Sequence, residues 1–355
     1  MKNRLEALRK ELFAKELDAI LVTSATNRRY LTGFTGSAGN VLVTKSKAIL
    51  ITDFRYTEQA AFQAPLYEIV IHKGLIREKI AELLIENQIT RTGFEEEYVT
   101  YKEYRGYVDT FVGAKLIPTN SVVEGLRIIK DENELVIIRK AIEIAESAFT
   151  KLLPEIKPGV SERELAINLE NYMRELGAEG ASFPIILASG KRSALPHGVA
   201  SDKVLEHGDF VTFDFGASYQ GYISDITRTV AIGAVDRKQQ EIYQIVLEAQ
   251  LNGLNNIKPG MTGIEADRFT RDIIESYGYG ENYGHGTGHG IGMDVHEAPT
   301  VSARGQDILK PGMVITIEPG IYLPGFGGVR IEDDALVTEN GLEVLTKLTK
   351  ELVII

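Results

Sequence analysis

Two aspartates mark the first place in this chain where side chains could do chemistry. In FVTFDFGASYQGYISDITRT (210–229), Val211, Phe213 and Phe215 alternate with Thr212 and Asp214, the pattern of a half-buried strand. Asp225, Thr227 and Thr229 share a parity beyond Ser218-Tyr219-Gln220-Gly221, which is turn material. A loop centred between Tyr219 and Gln220 sets Asp214 directly opposite Asp225. Opposed Cβ atoms sit ~4.5–5.5 Å apart, and like charges there are destabilising. A bound cation is the simplest compensation. A solvated polar face in a slightly different register is the plain alternative.

Two more carboxylates answer them further along. Glu318 ends MVITIE before Pro319-Gly320, and Glu332 sits in GGVRIEDDALV on the opposite parity from Val329 and Ile331. Four carboxylates converging between apolar strands would repel severely unless paired. Two divalent cations would neutralise them. Arg330, two residues before Glu332 on the same strand face, is a candidate partner that orients a carboxylate or anchors substrate. Its plain alternative is a surface ion pair.

The chain has six histidines, and three of them crowd into GHGTGHGIGMDVHEAP. His285 and His289 are four apart, but the five glycines of GHGTGHGIG argue against a regular helix, and so against a helical HExxH zinc motif. An extended Gly-rich run lets a histidine approach a metal closely. His197 in ALPHG and His296 in DVHEAP occupy matching places 99 residues apart, which raises both above background. His72, and His207 in LEHGDF, read as ordinary surface or core residues.

The elements that must position these residues repeat. Ile156-Lys157-Pro158-Gly159 recurs as Ile257-Lys258-Pro259-Gly260. Each copy precedes a capping-box pattern, Ser161 with Glu164 and Thr262 with Glu265, and each following helix ends at a glycine, Gly177 or Gly278. All share an offset of 101. A duplicated helix–helix–strands unit would bring two similar halves together about a pseudo-two-fold axis, with a site where they meet. Two unrelated helix starts using common chemistry are the bland alternative.

Upstream, DAILVTS (18–24), GNVLVTK (39–45), KAILITD (47–53) and YEIVIHK (67–73) are strand-like, with helical patterns such as EKIAELLIEN (78–87) between them. Asp131-Glu132-Asn133-Glu134 opens a helix with Leu135, Ile138, Ile142, Ala145 and Phe149 on one face. The fold class is therefore α/β in two domains, 1–125 and 126–355.

Bulk composition excludes several function classes. The 355 residues include no cysteine, which removes disulfide and thiolate chemistry and fits a cytoplasmic, reducing location. The N-terminal MKNRLEALRKELFAKELDAI is a charged amphipathic helix without the apolar core of a signal peptide, and no apolar run is long enough to cross a membrane. A net charge of −11 argues against nucleic acid as the main partner.

The strings TFDFGASYQGYISDITRT, GHGTGHGIGMDVHEAP, ITIEPGIY and GVRIEDD, in that order, resemble the signature set of the pita-bread metallopeptidases. That family includes methionine aminopeptidases, aminopeptidase P and prolidases, as well as metal-free creatinases. TSATNRRYLTGFTGSAG and ITDFRYTEQA resemble the creatinase-like N-terminal domain of Xaa-Pro peptidases, which methionine aminopeptidases lack. Arg28 stands where the family's NxRYLTGF pattern has an apolar residue.

The resemblance implies a creatinase-like N-terminal α/β domain and a C-terminal pseudo-two-fold α+β pita-bread domain. It implies that Asp214, Asp225, His289, Glu318 and Glu332 hold two divalent metal ions, with Asp225 and Glu332 bridging. Such an oxygen-rich set with one imidazole suits manganese first, and also cobalt, zinc or iron. Glu318 would shuttle a proton, His197 and His296 would contact the substrate carbonyl and the developing intermediate, and His285 and Arg330 would bind substrate. The implied activity is hydrolysis of an Xaa-Pro bond at a peptide N-terminus by a homodimer. The alternatives are a prolidase limited to dipeptides and, more remotely, a non-hydrolytic pita-bread binding protein. Proline needs a dedicated site because its nitrogen carries no N–H and its φ is fixed.

Overall fold

A computed structural model describes residues 1–355 and divides the chain after Arg127. The first unit, Met1–Arg127, is built on one six-stranded sheet. Its strands are β1 (Ala19–Val22), β2 (Asn40–Thr44), β3 (Ala48–Thr52), β4 (Glu68–Ile71), β5 (Arg91–Glu95) and β6 (Lys115–Thr119), in the order β4-β3-β2-β1-β5-β6. β1/β2 and β2/β3 run antiparallel, and the remaining neighbours are parallel. Ala19–Val22 and Val41–Val43 are buried at every position, as strands covered on both faces must be. The covering helices are α1 (Lys2–Ala14), α2 (Ala25–Thr32), α3 (Thr57–Gln63), α4 (Ile76–Glu86), α5 (Tyr101–Thr110) and α6 (Val122–Arg127).

Arg28, the residue that departs from an apolar pattern, has a structural reason. Its buried guanidinium donates from Nη1 to Gly39 O at 2.6 Å and from Nη2 to Gly36 O at 2.7 Å. It replaces apolar packing with two bonds that hold the loop after α2.

The second unit, Ile128–Ile355, contains α7 (Glu132–Leu152), α8 (Glu162–Glu175), α9 (Arg237–Asn256) and α10 (Gly263–Ser276). Its strands are β7 (Gly180–Ala181), β8 (Ile186–Ser189), β9 (Phe210–Phe215), β10 (Ala217–Tyr219), β11 (Tyr222–Ile223), β12 (Ile226–Ala231), β13 (Gly288–Gly290), β14 (Glu297–Val301), β15 (Val314–Ile317), β16 (Gly320–Leu323), β17 (Gly327–Arg330), β18 (Asp333–Val337) and β19 (Leu342–Val344). α7 starts in a capping box of Asp131 and Glu134 and buries Leu135, Ile138, Ile142, Ala145 and Phe149 against β9 and its neighbours. No helix is long and apolar enough to cross a membrane.

The 101-residue echo is structural. Ser161 and Thr262 cap α8 and α10, and Gly177 and Gly278 take φ of 103° and 84° just beyond them. Gly159 N bonds Leu205 O and Gly260 N bonds Leu309 O, so both helix starts are tied to their own halves in the same way. Antiparallel β8-β9-β12 in the first half is answered by β13-β15-β18 in the second.

The Asp214 hairpin differs from the expected register. β9 pairs with β12 so that Asp214 lies opposite Thr227, not Asp225. Tyr219 faces Tyr222, leaving Gln220-Gly221 as a two-residue turn with φ of 49° and 81°. Positive φ at both positions is the type I′ arrangement that matches strand twist. The turn centre therefore lies one residue later than expected. Asp225 falls at the break between β11 and β12, diagonal to Asp214, and both residues line the same cavity. Both are buried, so the face is not a solvated one.

Candidate metal centre

Each acidic residue sits where a strand ends or breaks, which lets its side chain turn into one cavity. Asp214 is in β9, Asp225 precedes β12, Glu318 follows β15 and Glu332 joins β17 to β18. Glu332 N bonds Thr227 O at 3.1 Å, stitching the second half to the first beside Asp214. His289 lies in β13, an extended segment and not a helix. Single ligand atoms of Asp225, His289 and Glu332 all lie within 4.8 Å of one another. His289 Nε2 is 3.4 Å from Glu318 Oε1 and 3.8 Å from Asp225 Oδ2.

These residues line a cavity of about 600 Å³ with His197, His285, His296 and Arg330. All nine residues singled out from the sequence are thus brought together. Phe183, Pro184, Ile186, Pro196, Val199 and Val295 give the same cavity an apolar wall. His296 stacks near His289, with ring centroids 4.4 Å apart. His72 lies outside the cavity, where its Nδ1 meets Gly74 O.

Arg330 is not a surface pair. Its side chain is buried and donates to Asp214 Oδ2 at 2.5 Å, Tyr322 OH at 2.8 Å, Thr227 Oγ1 at 3.0 Å and Pro196 O at 3.2 Å. Thr227 Oγ1 in turn donates to Glu332 Oε2 at 2.6 Å. One guanidinium thus fixes two of the four carboxylates, one of them through a hydroxyl.

The electrostatics are those of a site built for more positive charge than the protein supplies. Burial, reinforced by the neighbouring carboxylates, raises Asp225 and Glu332 far above the usual range. Burial pushes Glu318 up to about 8 despite Arg330, and raises Asp214 as well. Burial also lowers His289 and His285 to about 4, so both rings are neutral at pH 7. His289 Nδ1 is 3.1 Å from Gly290 O, and a carbonyl only accepts, so the proton sits on Nδ1. Nε2 therefore presents a bare lone pair to two carboxylates. Asp214 Oδ1 is buried without any partner. Lone pairs facing lone pairs in a closed space fit a divalent cation held by Asp214, Asp225, His289, Glu318 and Glu332.

Several supporting residues are not among the nine singled out. Tyr322 links Arg330 to His285, accepting from Nη1 and donating to Nε2 at 2.8 Å each, since His285 Nδ1 already donates to Gly286 O. Asp334 Oδ2 accepts from Asp225 N at 3.0 Å. Asp267 and Arg271, one turn apart on α10, hold the Gly-rich segment. Asp267 Oδ1 accepts from Thr287 N and Oγ1, and Arg271 donates to Tyr283 O and His285 O. Glycines permit the close approach: a Cβ on Gly288 would lie 1.9 Å from Thr316 O. The same glycines cannot rigidify the segment, so the helix supplies the clamp. Tyr322 and Asp334 had a signal, in ITIEPGIY and GVRIEDD; Asp267 and Arg271 read as ordinary helix residues.

The family model for metallopeptidase family M24 matches residues 136–339, and that for the creatinase/prolidase N-terminal domain matches residues 4–129. The chain is 43% identical to an Xaa-Pro dipeptidase of Pyrococcus furiosus, over 99% of this chain and 100% of that one. A solved Xaa-Pro dipeptidase from Bacillus anthracis is 54% identical with a TM-score of 0.98, over 100% of this chain and 99% of that one. A solved X-Pro aminopeptidase from Thermotoga maritima is 42% identical with a TM-score of 0.91, over 96% and 98%. Matched in both units and aligned end to end with these relatives, the chain belongs to metallopeptidase family M24 and carries its pita-bread fold behind a creatinase-like N-terminal domain.

Proposed function

We propose that this protein hydrolyses the Xaa-Pro bond at the N-terminus of peptides, using two divalent ions, manganese first, held by Asp214, Asp225, His289, Glu318 and Glu332. The observation that carries the reading is the convergence of these five side chains, with the His289 lone pair bare, in one cavity with three further histidines. When bound, the ions supply Lewis acidity that activates water and polarises a carbonyl.

The chain's own groups do the rest. Glu318, whose Oε1 lies 3.4 Å from His289 Nε2, takes the proton of the attacking water and hands it to the leaving imide nitrogen. His197 and His296 face the cavity beside the carbonyl carbon under attack. His285, neutral and oriented by Tyr322, lies toward the proline side. The apolar wall of Phe183, Pro184 and Ile186 suits a pyrrolidine ring, and no group in that wall requires an N–H from the substrate. Arg330 holds Asp214 and Glu332 in place while the cavity fills.

A second reading, dipeptides only, is favoured by one residue. Arg304, exposed at the cavity rim, could pair with the free carboxylate that a dipeptide presents just beyond proline. The test is hydrolysis of Ala-Pro beside Ala-Pro-Ala by metal-stripped protein, before and after Mn²⁺ is added. Metal-dependent cleavage of both supports the aminopeptidase. Cleavage of the dipeptide alone supports the second reading, and cleavage of neither with any divalent metal removes both.

A further inference from the structure

His197 enters the cavity from an exposed position on a loop, and no hydrogen bond holds its ring there. Its placement must come from the backbone that carries it. That backbone converges on one carboxylate. Glu162, the first residue of α8, has no solvent exposure, although first-turn acids commonly face water. Its Oε1 accepts from Ser189 N and Ser189 Oγ, both at 2.8 Å. Its Oε2 accepts from Ser201 N at 3.0 Å, from Ser201 Oγ at 2.7 Å and from Arg192 Nη1.

Ser189 closes β8, and Ser201 lies just beyond the stretch in which Pro196, His197 and Val199 reach the cavity. A single buried carboxylate therefore pins both ends of that loop. Arg192 adds a rung between them, donating from Nη2 to Val199 O at 2.9 Å. The α8 backbone backs this up, with Glu162 N on Lys203 O and Arg163 N on Ser201 O, both 2.9 Å. On the far side, Arg330 Nη1 reaches Pro196 O. The loop is thus held at its base by Glu162 and at its tip by the group that orients Asp214.

We infer that Glu162 is a positioning residue for the reaction: it acts through the 189–201 loop to fix His197 and the Val199 wall against the metal-binding carboxylates. This rests on the proposed Xaa-Pro reading. A carboxylate satisfies all five donors at once, whereas a neutral amide would set its N–H groups against Ser189 N, or against Ser201 N and Arg192 Nη1, which cannot accept, leaving only a serine hydroxyl able to turn and receive one. The site is 27 residues of chain away from Ser189 and is not part of the metal ligand set.

The test compares Glu162→Gln, His197→Ala and the double variant with the wild type, all as the full chain loaded with Mn²⁺. Glu162→Gln should lower kcat on Ala-Pro roughly 10- to 100-fold, the size expected when a reacting group is misplaced by about 1 Å. KM and the Mn²⁺ dissociation constant, measured by calorimetry, should move by less than about threefold, since the ligands are untouched. His197→Ala should add little in the Glu162→Gln background, because two changes that act through one group are not additive. Hydrogen exchange should show lost protection confined to residues 189–201. Wild-type kcat in Glu162→Gln, or losses that simply multiply in the double variant, would overturn the inference. If Glu162→Gln does not fold, Ser189→Ala with Ser201→Ala removes two of the five bonds and carries the same comparison. Should the wild type cleave no Xaa-Pro substrate, the proposed function fails, while exchange across 189–201 still decides whether Glu162 holds the loop.

Discussion

Arg330 Nη2 stands 2.5 Å from Asp214 Oδ2, while Asp214 Oδ1 is buried with no partner at all. One oxygen of this carboxylate is used to fix its orientation, and the other is left for something the polypeptide does not provide. Removing the guanidinium strips four acceptors at once. Arg330→Met should lower the stability of the metal-free protein by about 3–5 kcal/mol, as for other broken buried pairs. Arg330→Lys should recover only part, because an ammonium cannot reproduce the planar fork. Denaturant unfolding in chelator measures both, and an unchanged unfolding free energy in Arg330→Met would contradict the role given to the residue.

The raised carboxyls make metal-free stability depend on pH in a set direction. A carboxyl whose folded pKa lies above its unfolded value binds more protons when folded, so stability falls as pH rises between the two values. Glu318 is pushed up to about 8, and Asp225 and Glu332 move in the same direction. His285 and His289, lowered to about 4, oppose this slope below about pH 6.5, so the chelated protein should be less stable at pH 8 than at pH 5.5, with the loss steepest above about pH 6.5. Saturating divalent metal should flatten or reverse the slope and release protons on binding. Thermal unfolding at both pH values, with and without Mn²⁺, reads it directly; a chelated protein more stable at pH 8 than at pH 5.5 would be inconsistent with these shifts.

Glu318→Gln removes the proposed proton path at a residue also proposed to hold metal, so it is assayed at saturating Mn²⁺. The amide can neither take nor deliver a proton, so kcat should drop by roughly 10²- to 10⁴-fold. With one fewer repelling carboxylate, the chelated variant should also be at least as stable as the wild type at pH 8. Turnover within about tenfold of wild type would remove Glu318 from the proton path.

Tyr322→Phe cuts the chain from Arg330 to His285 while preserving the ring. Of the two hydrogen bonds lost, the one to His285, at about 1–1.5 kcal/mol, corresponds to a kcat/KM roughly tenfold lower. Mn²⁺ affinity should stay at the wild-type value, because Tyr322 touches no ligand oxygen. Equal losses in metal affinity and in kcat/KM would show that the tyrosine supports the ligands instead.

The acidic residues were legible from the sequence because strand alternation and short motifs expose them. The extended placement of His289 was legible because the five glycines of GHGTGHGIG argue against a helix. The Asp214–Asp225 opposition was misplaced by one turn residue. The signal was present, since Gly at 221 suits the second position of a type I′ turn, but Ser218-Tyr219-Gln220-Gly221 offered more than one centre. Glu162, Asp267 and Arg271 were invisible for a different reason. Each is an ordinary helix residue at ordinary spacing, and its importance comes from loops that fold back onto it. Only tertiary structure makes one carboxylate the anchor of both Ser189 and Ser201.

The duplication has a consequence in time. Asp214 and Asp225 belong to the first half of the second unit, and His289, Glu318 and Glu332 to the second. A ribosome delivers them in that order, with 117 residues between Asp214 and Glu332. On the proposed ligand set, a chain halted between β12 and β13 holds two of the five groups and lacks His289, Glu318 and Glu332. The set is complete only when Glu332, between β17 and β18, has been made, so metal retention on this reading belongs to the last stage of synthesis.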